Sequence, residues 1–72
     1  IADIEEIISI PIKEWEALNA YFSSRGLAES DIEISLTKLC IQLHQGKKVP
    51  TSRQAKKVLE IRNKAYQEDF EF

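Results

Sequence analysis

The chain predicts an all-α domain, a small orthogonal bundle of three main helices preceded by a short N-terminal helix, and three observations carry that expectation. Apolar residues recur at three- and four-residue spacing in three separate stretches, the pattern of a helix with one buried face. The chain has only two glycines and two prolines, and all four (Pro11, Gly26, Gly46 and Pro50) fall between those stretches, where helices start and stop. No period-two alternation runs long enough to compete as a strand. Seventy-two residues, 43% apolar and 31% charged, make residues 1–72 one folded domain near the lower size limit for a core without disulfides or metal. Ile1 opens a chain that lacks methionine, which reads as a domain excised from a larger protein.

Taken in order, Asp3 is expected to cap the first short helix, with Glu5 and Glu6 in its first turn where the helix dipole favours negative charge. Pro11 ends that helix and disfavours helical geometry at Ile10, leaving Ile4, Ile7, Ile8 and Ile10 as an apolar arm. The arm is free to pack on the core or on a neighbouring domain. Pro11 then suits the first position of the second helix, where Ile12, Trp15, Leu18 and Phe22 form a stripe interrupted by Asn19. Lys13, Glu14 and Glu16 are placed outside it. Gly26 supplies a left-handed C-terminal cap, and Arg25 complements the carbonyl end.

Ser30 and Glu33 spell a capping box, so a third helix begins there or one or two residues earlier. Ile32, Leu36, Leu39, Cys40 and Leu43 form its main face, and Gly46 ends it. Thr51 or Ser52 caps the last helix, whose Ala55, Val58, Leu59, Arg62, Ala65 and Tyr66 share one face while Arg53, Lys56, Lys57 and Lys64 point elsewhere. Phe70 and Phe72 are candidates to fold back over the core. The expected core contains Trp15, Leu18, Phe22, Leu36, Leu39, Cys40, Leu43, Val58, Leu59 and Ala65.

The formal net charge of −2 hides an asymmetry. Residues 1–33 carry −6, residues 34–67 carry +7 with Glu60 as the single acid, and residues 68–72 carry −3. Local field, not the total, decides what such a chain attracts. The basic density peaks between Gln45 and Lys57, QGKKVPTSRQAKK, which holds five of the ten Lys and Arg residues and no acid. A helix N-terminus offers unpaired amides and partial positive charge, so this stretch reads as a phosphate-binding site of Lys47, Lys48, Thr51, Ser52, Arg53, Gln54, Lys56 and Lys57. Gln54 is also a residue type able to read an adenine edge.

Other chemistry is weakly represented. Cys40 and His44 stand four apart on one helix, but no further Cys or His exists to complete a structural zinc site, so no metal or other cofactor is expected. Nucleophilic catalysis would need a cleft and an orienting acid beside that pair, and the chain reads as non-enzymatic. Carboxylates such as Glu14 and Glu16 are read as solvated, and Trp15, Tyr21, Phe22 and Tyr66 as core, with Tyr21 the ring most open to solvent. No stretch reaches the roughly 20 apolar residues of a membrane span, and a single cysteine suits a reducing, cytoplasmic setting.

Three stretches carry a resemblance: IPIKEWEALNAYF (Ile10–Phe22), LTKLCIQLHQG (Leu36–Gly46) and GKKVPTSRQAKKVLEI (Gly46–Ile61) followed by NKAYQEDF. Together, over about 60 residues, they resemble a compact helical module near the C-terminus of bacterial phage-defence (abortive-infection) and helicase-like proteins. The resemblance implies an accessory module of a bacterial nucleic-acid-processing protein and carries over no catalytic residue. The expected function is therefore non-catalytic binding of nucleic acid. The alternative is a protein-interaction or assembly module, in which Ile4, Ile7 and Ile8 dock on a partner and the basic face meets acidic protein.

Overall fold

Among the described residues, four helices form where the punctuation predicts them. The computed structural model describes residues 2–26 and 30–72, with α1 Ala2–Ser9, α2 Ile12–Arg25, α3 Ser30–His44 and α4 Ser52–Glu68, and no strand among the described residues. The bundle is all-α, with α2 and α3 the most extensively packed pair and α1 lying across α3 and α4. No helix of the described residues is long and apolar enough to cross a membrane.

The helix ends show why the boundaries are legible. Gly26 adopts φ 65° at the end of α2, the left-handed conformation that costs a glycine nothing. Gly46 adopts φ 72°, its amide donates to the Leu43 carbonyl and the Lys47 amide donates to the Gln42 carbonyl, which together close α3 in a Schellman motif. Pro11 differs by one position from expectation: it is the N-cap of α2, with ψ 144°, and its carbonyl accepts from the Glu14 and Trp15 amides. Asp3 lies inside the first turn of α1 instead of capping it. Ser30 is likewise helical, and its buried Oγ has no hydrogen-bond partner among the described residues, so the expected box with Glu33 does not form. Any start of α3 upstream of Ser30 falls outside the described residues.

The core joins Trp15, Leu18 and Phe22 of α2 to Leu36 and Cys40 of α3 and Val58, Leu59 and Ala65 of α4, as the stripes predict. Leu39 and Leu43 are only partly buried and pack against it. The apolar arm is the larger revision. Ile7 is fully buried and Ile10 nearly so, while Ile4 is partly buried and Ile8 is 52% exposed. Of the three residues expected to meet a partner, only Ile8 therefore presents substantial surface. The Ile7 carbonyl also accepts from the Trp15 indole Nε1 at 3.1 Å and lies 3.2 Å from His44 Nε2. A carbonyl only accepts, so that ring nitrogen carries the proton. His44 thus ties the end of α3 to α1.

Two polar linkages are built into the packing. Asn19 Nδ2 donates to the Ile34 carbonyl and to Thr37 Oγ1, and the fully buried Thr37 hydroxyl reaches back to the Glu33 and Ile34 carbonyls. The interruption of the α2 stripe is a cross-link to α3. Glu14 corrects an expectation outright: it is 6% exposed, not solvated, and accepts a hydrogen bond from Arg62 Nε. Arg62 stands along the buried face of α4 with its head group partly open to solvent, and it meets the buried Glu14 carboxylate, which would be costly without a partner.

At the C-terminus, Phe70 folds back and is buried, edge-on to Tyr21 and Tyr66 at centroid distances of 5.3 and 5.1 Å. Phe72 stays exposed. Tyr21 also packs edge-on against Phe22 and carries Arg25 over its ring, so the ring expected to be most open is half-buried in an aromatic cluster.

Candidate nucleic-acid interface

The site begins where α3 stops. The Schellman turn at Gly46 reverses the chain and sends Lys47, Lys48 and Val49 into solvent, Val49 being 73% exposed. Pro50 is buried and holds the loop down before α4 starts. The first turn of α4 is then set by a complete capping box: Thr51 Oγ1 accepts from the Gln54 amide at 3.1 Å, and Gln54 Oε1 accepts from the Thr51 amide at 2.9 Å. Beyond it, Ala55, Val58 and Leu59 turn inward, and the 3.6-residue period leaves Arg53, Lys56 and Lys57 outward.

All eight expected site residues therefore lie on one continuous stretch at one end of the molecule, but their roles divide. Lys47, Lys48, Ser52, Arg53, Lys56 and Lys57 are exposed and outside the capping box. Thr51 and Gln54 form the box itself. Gln54 is half-buried with its Oε1 engaged, which removes half of the donor–acceptor pair needed to grip an adenine edge. The Thr51 and Gln54 amides are engaged too, leaving the Ser52 and Arg53 amides of that first turn for an incoming anion. The sequence signal for this division was the T-x-x-Q spacing, which suits a cap at least as well as a base contact.

The electrostatics follow from which cations find partners. Among the described residues, ion pairs join Arg62 to Glu14 and Arg25 to Glu68, the latter at 3.4 Å. Lys47, Lys48, Arg53, Lys56 and Lys57 have no carboxylate within 4.0 Å among the described residues. Further along α4 the pattern changes. A cleft of about 450 Å³, where the end of α2 and the start of α3 meet α4, sets Arg25, Lys57 and Lys64 against Glu33, Glu60 and Glu68. Among the described residues this cleft mixes both signs, with Lys57 at its edge, so the run of unpaired cations is that of the loop and the first two turns of α4.

Two residues outside the site have altered chemistry. Burial pushes the Cys40 thiol up to about 12, so it packs in the core as a protonated side chain at neutral pH. The Tyr66 phenol is also raised, by desolvation first and then by the Glu14 carboxylate, while Arg62 over its ring at 5.2 Å opposes the shift. No group of three or more His, Cys, Asp or Glu is arranged to hold a metal among the described residues. The Glu14–Arg62 pair was missed from sequence, although an arginine in the middle of an apolar stripe is itself a signal that a facing helix must supply an acid.

Comparison of the chain with known protein families, with curated proteins and with solved structures found no match.

Proposed function

We propose that this domain is a non-catalytic nucleic-acid-binding module that contacts phosphates through Lys47, Lys48, Arg53, Lys56 and Lys57. The observation that carries this reading is that five exposed cations on one end of the fold have no acidic partner among the described residues, although the chain as a whole is acidic. Self-neutralisation would have been available, since the first half of the chain carries −6. Concentrated, unpaired positive charge on a rigid scaffold is what a phosphate backbone recognises, through counterion release and without base contacts. Binding is weak, salt-sensitive and largely indifferent to sequence. The resemblance to modules of bacterial nucleic-acid-processing proteins agrees with this reading.

The test is a fluorescence-anisotropy titration against labelled oligonucleotides at about 50 and 200 mM salt, with Lys47→Glu/Lys56→Glu as the comparison. Both lysines are exposed, so the double variant keeps the helical circular dichroism of the parent. The expected result is saturable binding at low salt that the double variant abolishes. Binding retained in that variant, or absent from the parent, overturns the reading and leaves acidic protein as the partner of this face.

A further inference from the structure

We infer that the partner of this surface is double-stranded DNA rather than a single strand. The inference rests on the reading above and narrows it by the chemistry the basic face lacks. Proteins that hold single strands stack unpaired bases on exposed aromatic rings lying along a basic groove. All six aromatic residues are among the described ones, and none lies in the basic stretch. Trp15, Phe22 and Phe70 are buried, and Tyr21 is half-buried against two other rings. Tyr66 is exposed, but on a helix with a rise of about 1.5 Å per residue it sits about 20 Å along α4 from Arg53. Phe72 lies in the tail beyond α4.

What the face does offer suits paired strands. Its five cations are gathered in the turn before α4 and that helix's first two turns, and the patch ends at the mixed-charge cleft that Lys57 borders. A duplex presents a charge about every 1.7 Å of axis, twice the density of either strand alone, so a short patch meets more phosphates on a duplex. The helix end, about 10–12 Å across with its side chains, matches the roughly 12 Å major groove of B-form DNA. The deep, narrow major groove of A-form RNA excludes it. The cations then reach the phosphate rails on either side, with Gln54 held in its cap away from the base edges.

The experiment compares one mixed sequence as DNA duplex, RNA duplex and single strand, following the observed association constant against salt. With all five cations on phosphates, the duplex slope of log K against log salt is about −4.5, a loss of about 500-fold between 50 and 200 mM. Lys56→Gln, outside the cleft, reduces that slope by about 0.9. Lys64→Gln, inside the mixed-charge cleft, leaves it unchanged. The DNA duplex binds tightest, by about tenfold over the single strand. A single strand or an RNA duplex that binds as tightly overturns this inference while leaving phosphate binding in place. Failure of all three to bind overturns both.

Discussion

Removing Arg62 should harm this fold more than removing Glu14, although the two form one ion pair. The pair is asymmetric: the Glu14 side chain is 7% exposed and the Arg62 side chain 23%. Arg62→Met leaves a carboxylate buried without its partner, the situation that costs about 3–5 kcal/mol. Glu14→Met leaves a guanidinium that already reaches solvent and lies over the Tyr66 ring, so its loss is nearer about 1 kcal/mol. The double variant Glu14→Met/Arg62→Met removes both charges and stays within about 1 kcal/mol of the parent, since well-packed apolar replacements of a buried pair are commonly neutral or better. A domain this small has a total stability of about 4–11 kcal/mol, so Arg62→Met alone consumes much of it and lowers Tm by about 20–30 °C. Urea unfolding of the four proteins followed by circular dichroism closes the cycle. The coupling energy, the double variant's cost less the two single costs, is expected at about −3 to −6 kcal/mol. Equal costs for the two single variants, or additivity within about 0.5 kcal/mol, refute the buried pair.

Two further outcomes follow from the structure. Thr51→Ala opens the capping box and costs about 1 kcal/mol, seen as a fall in Tm of about 4–8 °C, while DNA binding at a temperature where the variant is folded is unchanged because the hydroxyl faces Gln54. Cys40 has its thiol raised from an ordinary 9.0 to about 12 in the fold. The folded state therefore holds a proton that the unfolded state releases, and its stabilising contribution is complete below pH 9.0 and declines as pH rises toward 12. Urea titrations from pH 8 to about 10.5 should show the parent losing stability more steeply than Cys40→Ala, by up to about 1.4 kcal/mol per pH unit. Parallel curves would contradict that placement, as would labelling of the folded protein by a thiol reagent.

Much of the fold is legible in the residues because punctuation and period agree. Gly26 and Gly46 end helices through left-handed caps, Pro11 separates α1 from α2, and the apolar stripes name most of the core. What the stripes leave open is which helix faces which. Glu14 lies on the flank of the α2 stripe, where period alone allows burial or exposure, and only the approach of Arg62 from α4 decides it. Ile7 and Ile10 are ambiguous for the same reason, since an isoleucine arm ahead of a proline packs equally well on its own core or on another surface. Within the site the cations are legible as a group because charge needs no partner to be seen. Thr51 and Gln54 are not, because one T-x-x-Q spacing serves both a helix cap and a ligand, and the hydrogen bonds alone choose.

The first measurement to make is a map of backbone amide shifts in the ¹⁵N-labelled domain as a short DNA duplex is added at low salt. The expected perturbations fall on Lys47, Lys48, Ser52, Arg53, Lys56 and Lys57, with Tyr21, Phe70 and the outer face of α1 unmoved. Shifts centred instead on Ile8 or the aromatic cluster, or no shifts at all, would contradict the assignment of phosphate binding to this end of the bundle.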